Sequence, residues 1–109
     1  MLFLTPERLF STGNGVLSFV DMLYDSKMIE LMVIDEAHCI SEWGSDFRPD
    51  YARLCELRSM FPGVKLLGMS ATIPPEARED LVKSLKIPGS YYFQSSSNRS
   101  NLIYEVKNI

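Results

Sequence analysis

Two adjacent carboxylates, Asp35 and Glu36, follow a run of four apolar residues, and His38 lies two positions further on. Charged groups at the end of a buried strand are costly unless an opposite charge lies nearby. Mg²⁺ bound to a nucleotide is a natural partner, because it prefers oxygen ligands and keeps several of its waters. One carboxylate can hold the ion while the other takes a proton from an attacking water, which is the chemistry of phosphoryl transfer. Taken alone, however, an acidic pair is more often a solvated loop or a helix N-cap.

A second polar cluster, Ser70 to Thr72, closes another apolar run. Continuous apolar runs are typical of strands that are covered on both faces of a parallel sheet. The runs at 2–4, 31–34, 64–69 and 91–93 are therefore predicted strands, and 102–106 is a further candidate. Apolar spacing and Pro or Gly signals predict helices at 16–25, at about 51–61 and from 75 to about 86.

This alternation predicts the fold class, which is α/β with a parallel sheet and helices on both faces. In such sheets, ligands bind beyond the carboxyl ends of the strands. Three of the predicted strands end in polar clusters, at residues 5–7, 35–38 and 70–72. If the strands are parallel, all three clusters lie on the same edge of the sheet.

A polar, aromatic-rich stretch at residues 39–49 separates the acidic pair from the next predicted helix. An isolated tryptophan is more often a core residue than a platform for nucleic acid. Trp43, however, stands among Gly, Ser, Asp and Glu in neither helical nor strand register, which favours an exposed loop. In the helix that follows, the spacing of Tyr51, Leu54 and Phe61 predicts core positions only.

Several segments resemble helicase motifs. The D-E-A-H of residues 35–38 and the S-A-T of residues 70–72 are similar to motifs II and III of superfamily 2 helicases. Residues 39–51, C-I-S-E-W-G-S-D-F-R-P-D-Y, resemble the aromatic-rich loop of the RecQ family, which is far more selective than D-E-A-H alone. Residues 5–9 resemble the family's motif Ib, and residues 98–102 resemble the segment leading into its second motor domain. The resemblance covers essentially the whole chain in family order.

The RecQ resemblance implies roles for the matched polar residues. Asp35 would bind the Mg²⁺ of ATP, and Glu36 would be the general base that activates water. His38 would link the nucleotide site to motif III and the DNA loop, while Ser70 and Thr72 would couple the nucleotide state to motion between motor domains. Simpler explanations remain: His38 as a satisfied polar residue, and Ser70 or Thr72 as the cap of the next helix.

The same resemblance implies DNA contacts. Trp43, Phe47 and Arg48 would meet single-stranded DNA, since aromatic faces stack on any base and arginine adds charge for phosphates. Thr5 would lie near the DNA backbone. Tyr51 has no such role in this interpretation.

The resemblance also implies a domain organisation. Residues 1–94 would be the C-terminal part of the first RecA-like helicase ATP-binding domain, a partial P-loop NTPase fold, and residues 95–109 would be the linker and the start of the second motor domain. The 109 residues contain no G-x-x-x-x-G-K-S/T. We therefore expect the isolated chain to be inactive as an ATPase. Ser45 and Ser100 depart from the family, which usually has histidine and often proline at these positions.

The function implied is that of an ATP-dependent 3′–5′ DNA helicase. Its cofactors would be ATP and Mg²⁺, and its partners single-stranded and forked DNA, the P-loop half of the motor and the second RecA-like domain. The alternative is a truncated, non-catalytic paralogue that binds DNA or another helicase. A generic α/β domain with accidental motif matches is a third interpretation, which the order of five motifs disfavours.

Composition limits other classes of function. The formal net charge of −3 argues against a stand-alone electrostatic DNA binder. Cys39 and Cys55 form no C-x-x-C pair, and one histidine cannot complete a common zinc set, so we expect free thiols in a reducing compartment. No apolar run is long enough to span a bilayer. We expect no membrane partner and an intracellular location, nuclear if the source is eukaryotic.

Overall fold

The computed structural model describes residues 1–13, 15–41, 47–71, 73, 75–95, 100–103 and 105. The α-helices are α1 (Pro6–Phe10), α2 (Val16–Asp25), α3 (Pro49–Ala52), α4 (Leu57–Met60) and α5 (Pro75–Ser84). The strands are β1 (Leu31–Ile34) and β2 (Lys65–Gly68), and two 3₁₀ helices are η1 (Ala37–Ile40) and η2 (Arg53–Glu56). Among the described residues, no helix is long and apolar enough to cross a membrane.

The two strands pair in parallel, as the sequence predicts. Leu31 lies opposite Lys65, and the register continues to Ile34 opposite Gly68. The pairing extends beyond the strands, because the Met69 N–H donates to the Ile34 carbonyl at 2.8 Å and the Ala37 N–H donates to the Met69 carbonyl at 2.8 Å. These bonds hold the segments after β1 and β2 side by side.

One face of this sheet packs against the core. Ile34 is buried there, and Gly68 lies close enough to the next layer that an added Cβ would sit 3.4 Å from the Ala37 Cβ. On the other face, Leu31, Val33 and Leu67 remain exposed among the described residues. The parallel α/β arrangement is confirmed, while helices on both faces of the sheet remain a prediction.

The predicted helix at 16–25 is confirmed with the same bounds. Its Val20 is buried, and Gly15, at the N-cap, has a φ of 71° that favours glycine. Near the other end, the Tyr24 ring meets Phe61 edge-on at 5.3 Å, and its hydroxyl donates to the Pro62 carbonyl at 2.6 Å. α2 therefore packs against the end of α4.

The helix predicted at about 51–61 is present but interrupted. It begins at Pro49, since proline suits the first helical turn, and runs through α3, η2 and α4. Leu54 and Phe61 are buried as predicted, whereas Tyr51 is only half-buried. α5 ends at Ser84, slightly before the predicted end, because Lys86 adopts a left-handed conformation and the Ile87 N–H turns back to the Val82 carbonyl at 3.1 Å.

Two predicted strands are wrong. Residues 2–4 and 91–93 form no strand, and Phe3 and Phe93 are 84% and 89% exposed. An apolar run becomes a strand only where a neighbouring edge pairs with its backbone groups, and the described residues offer these runs no such partner. Residues 102, 103 and 105 are not in a strand either, and the rest of that predicted strand lies outside the described residues.

Candidate functional site

The acidic pair lies directly after β1. Asp35 is exposed, and its Oδ1 accepts the Glu36 N–H at 2.9 Å. Glu36 adopts a left-handed conformation, with φ 53° and ψ 41°. This conformation costs a residue with a side chain about 1–3 kcal/mol and persists only where the surroundings enforce it. The Asp35 carboxylate before it and the Ala37–Met69 bond after it provide that enforcement.

His38 joins the ends of the two strands. Its Nδ1 lies 2.6 Å from the Ser70 Oγ, just beyond β2, and 3.3 Å from the Glu36 Oε2. A carboxylate only accepts hydrogen bonds, so a hydrogen bond to Glu36 requires a proton on Nδ1, and the Ser70 hydroxyl then accepts from the same N–H. The imidazole is largely buried, with 15% of its side chain exposed, while the Glu36 side chain is 54% exposed. Glu36, the candidate general base, is therefore open to solvent, while the largely buried His38 ring contacts its carboxylate from the interior.

The buried side of His38 also meets a thiol. The Cys39 Sγ lies 3.7 Å from the His38 Nε2, and Cys39 itself is buried as a free cysteine. Ser41, which closes η1, is fully buried. η1 thus carries His38 on a short segment whose other side chains face the interior, which fixes the position of the ring.

The strand-end clusters at 35–38 and at Ser70 come together as the sequence predicts. Ser70 contacts His38 and precedes the first residue of α5 by five positions, so it is not that helix's N-cap. Thr72 lies outside the described residues. Thr5, the third predicted strand-end residue, does not follow a strand. It is the N-cap of α1, and its Oγ1 accepts the Arg8 N–H at 3.1 Å.

The donor set fits a Mg²⁺ ion that arrives with its nucleotide. Within the described part of the chain, no three His, Cys, Asp or Glu side chains come together as a metal cage. Mg²⁺ usually uses one or two carboxylates and completes its shell with phosphates and waters. An exposed Asp35 beside an exposed Glu36 meets that requirement.

The predicted DNA-contacting residues are described only in part. Phe47 is half-buried, Arg48 is exposed at the N-cap of α3, and Trp43 lies outside the described residues. The Arg53 guanidinium, just after α3, lies 4.4 Å from the centre of the Phe10 ring in α1. The helix that Thr5 caps and the helix that Arg48 caps are thus neighbours.

Tyr51 was predicted to be a core residue only, but its surroundings are partly polar. Burial, and then the Cys39 thiol, raise the pKa of the Tyr51 hydroxyl above its usual value. The carboxylates of Asp35 and Glu36 raise this pKa further, and the Arg48 guanidinium opposes them. The sequence did offer a sign of these polar surroundings, because Tyr51 has a polar hydroxyl and lies three positions after Arg48, about one helical turn away.

Comparison with known proteins identifies the family. The family model for DEAD/DEAH box helicases matches residues 1–81. The chain is 42% identical over 106 residues to "RecQ-like DNA helicase BLM" of Xenopus laevis, with 97% of this chain covered. It is 40% identical over 107 residues both to "ATP-dependent DNA helicase hus2/rqh1" of Schizosaccharomyces pombe and to "ATP-dependent DNA helicase Q-like 2" of Arabidopsis thaliana, with 98% covered.

The chain spans only 8%, 8% and 15% of the lengths of these three relatives. The family match and the identities nevertheless agree with the motifs at residues 35–38 and 70–72. The chain belongs to the DEAD/DEAH box helicase family, within its RecQ type.

Proposed function

We propose that this chain is the part of an ATP-dependent 3′–5′ DNA helicase that carries the carboxylates for ATP hydrolysis and the loop that senses DNA. The observation that carries the proposal is the position of His38, whose Nδ1 reaches both the Glu36 carboxylate and the Ser70 hydroxyl. The names of the relatives, all DNA helicases, support the same substrate class.

The proposed domain organisation follows the family match. Residues 1–94 form the C-terminal part of the first RecA-like ATP-binding domain, and residues 95–109 form the linker and the start of the second motor domain. The match over residues 1–81 supports the first assignment. The remainder of the motor, including the P-loop half and the second RecA-like domain, is the partner of this segment, and the working location is intracellular, in the nucleus of a eukaryotic source.

The carboxylates have distinct tasks in this proposal. Bound Mg·ATP supplies the phosphoryl group and neutralises its developing charge. Asp35, whose carboxylate is exposed, would hold the ion. Glu36 accepts the proton of the attacking water, with His38 donating from Nδ1 to Oε2 and leaving Oε1 for the water. The left-handed backbone at Glu36 fixes the direction from which this carboxylate approaches.

The contact between His38 and Ser70 links the candidate base to the segment after β2. Ser70 and Thr72 then convey the nucleotide state towards the second motor domain. Because Met69, next to Ser70, and Ala37, next to His38, are joined by a backbone hydrogen bond, a shift of one segment displaces the other. This arrangement suits a hydrolysis site that must be coupled to motion.

The proposed DNA contacts are made mainly by the aromatic-rich loop. Trp43 and Phe47 stack on bases of single-stranded or forked DNA, and Arg48 contacts phosphate. Thr5 lies near the DNA backbone at the start of α1, the helix that neighbours the segment after Arg48. The chain's net charge of −3 is compatible with a local contact of this kind on a larger motor.

The decisive variant is Glu36→Gln in the full-length polypeptide that carries this segment. We expect ATP turnover to be abolished while binding of a fluorescent ATP analogue is retained, because the amide cannot accept the proton from water. Glu30→Gln is the matched control, since Glu30 is an exposed carboxylate just before the same strand. Turnover of Glu36→Gln at the wild-type rate would exclude Glu36 as the base.

The size of the native polypeptide tests the alternative. An immunoblot of source extract showing a product several times longer than 109 residues supports the helicase segment. A product of this length, without the G-x-x-x-x-G-K-S/T that cradles phosphates, would be inactive as an ATPase. That result would favour a non-catalytic module that binds DNA or another helicase.

A further inference from the structure

Cys39 is a buried thiol beside the imidazole that contacts the candidate base. Its Sγ lies 3.7 Å from the His38 Nε2, within hydrogen-bonding range for a sulfur atom. Only 3% of Cys39 is exposed, so its thiol contacts protein rather than solvent. The proposed function gives Cys39 no task, although its side chain meets the ring nitrogen opposite the one that faces Glu36.

The backbone holds this thiol in place. The Cys39 N–H donates to the Glu36 carbonyl at 3.0 Å, and the Cys39 carbonyl accepts the Arg48 N–H at 2.9 Å. Ala37 and Ile40, its neighbours in η1, are buried as well. Because both backbone groups of Cys39 are hydrogen bonded and the segment is packed, the fold itself sets the position of the Sγ against the ring.

The location of the ring proton decides whether His38 attracts or repels Glu36. The His38 Nδ1 lies 3.3 Å from the Glu36 Oε2. With the proton on Nδ1 the ring donates to this carboxylate, whereas with the proton on Nε2 it would turn a lone pair towards it. The Ser70 hydroxyl, 2.6 Å from Nδ1, suits either form, since a hydroxyl can donate or accept.

The contact at Nε2 favours the form that donates to Glu36. In a neutral imidazole, the hydrogen bond made by one nitrogen sets whether the other carries the proton. Sulfur is only a weak acceptor, and a carboxylate only accepts. Among the neutral forms of the His38 ring, the one with its proton on Nδ1 therefore satisfies both neighbours, because Nδ1 donates to Glu36 while Nε2 accepts the Cys39 S–H.

We propose that Cys39 is a positioning residue that donates its S–H to the His38 Nε2 and so keeps the ring proton on Nδ1, facing Glu36. The inference rests on the proposed function, in which Glu36 is the general base. It adds to that function the group that selects the tautomer of His38. The thiol does not touch the nucleotide or the attacking water, and it acts through the imidazole alone.

The first test is Cys39→Ala in the full-length polypeptide, which removes the donor together with one buried sulfur atom. We expect kcat for ATP hydrolysis to fall about 2- to 10-fold, the effect of losing one hydrogen bond of ordinary strength. The Kd for a fluorescent ATP analogue should keep its wild-type value, because Cys39 does not bind the nucleotide. Cys39→Ser retains a donor and should recover part of kcat. If it is as slow as Cys39→Ala, packing of the sulfur and not donation sets the rate.

Cys55→Ala is the matched control, since Cys55 is the chain's other free thiol and lies on η2. It should leave kcat at the wild-type value. A double-mutant cycle with His38→Ala separates positioning from a merely structural role. If Cys39 acts through the imidazole, Cys39→Ala has no further effect on kcat once that ring is gone. A structural role would lower kcat by the same factor in both backgrounds.

Nitrogen-15 NMR of the full-length polypeptide, labelled in its histidines, reads the position of the proton independently of activity. The His38 signals are those that disappear in His38→Ala. We expect Nδ1 to carry the proton in the wild type, and Nε2 to carry it in part of the Cys39→Ala molecules. A wild-type ring with its proton on Nε2, or with protons on both nitrogens, overturns the proposal.

Failure of this role and failure of the proposed function give different results. An unaltered kcat in Cys39→Ala, in an enzyme that loses turnover in Glu36→Gln, overturns the role of Cys39 alone. Equal losses in the two backgrounds of the cycle do the same. Wild-type turnover in Glu36→Gln overturns the proposed function, and the role of Cys39 with it.

Discussion

The polar clusters at Asp35–His38 and at Thr5–Glu7 have similar sequence contexts, since each follows a short apolar run. In the folded chain they differ. The first lies beyond a paired strand and reaches a second segment through His38 and Ser70. The second begins a short helix, and the Thr5 hydroxyl is used within three residues as its cap. Strand pairing thus decides whether a polar cluster serves a neighbouring segment or only its own backbone.

The largest effect is expected from a substitution that separates the cluster at residues 35–38 from Ser70. His38→Ala removes the side chain that holds the Glu36 carboxylate to the Ser70 segment. We expect ATP turnover of the full-length polypeptide to fall about 100-fold, the effect of a misplaced reacting group. Ser70→Ala should cost less, because His38 can still donate to Glu36. A steady-state ATPase assay that ranks Ser70→Ala as the more damaging variant would contradict this geometry.

A smaller effect is expected at Gly68 in β2, which packs against Ala37 in the cluster at residues 35–38. Gly68→Val would place branched atoms against Ala37 and Leu85, where an added Cβ is already 3.4 Å and 3.9 Å from the nearest carbons. Overpacking of this kind costs about 1–3 kcal/mol. Chemical denaturation measures the loss in the free energy of unfolding. Gly68→Ala serves as control, since its single methyl meets ordinary contact distances, and an equal loss in both variants would show that the space is tighter than the structure indicates.

The smallest effect is expected at the cluster of residues 5–7, where Thr5 caps α1. Thr5→Ala removes the hydroxyl that caps α1 and should lower the free energy of unfolding by about 1 kcal/mol. Thr5→Ser retains the capping oxygen and should recover most of the loss. Thermal unfolding of the three proteins measures the difference. If Thr5→Ser is as unstable as Thr5→Ala, the methyl group and not the cap stabilises this end of α1.

Much of the local structure was predictable. The helix at 16–25 and the strand at 31–34 have the bounds that their apolar spacing indicates. The burial of Leu54 and Phe61 also follows from helical periodicity. The runs at 2–4 and 91–93 have equal apolar character but no pairing partner among the described residues, and apolar character alone does not satisfy backbone hydrogen bonds.

The candidate site was predictable in position but not in detail. The rule that parallel strands bring their carboxyl ends together correctly placed the Asp35 cluster beside Ser70. No sequence pattern indicated that Glu36 is left-handed, because glutamate rarely adopts that conformation and only its neighbours enforce it. The partial exposure of Tyr51 was not predictable, because apolar spacing identifies which residues face the core and not how completely each is covered.

The sequence by itself determined the family, the parallel α/β class and the identity of the acidic residues, because motifs and apolar periodicity are properties of residue order. Only the tertiary structure decided that one imidazole contacts both Glu36 and Ser70 and that the Arg48 N–H bonds to the Cys39 carbonyl. Those relations depend on distances between residues that are far apart in the chain, and packing and strand register set such distances.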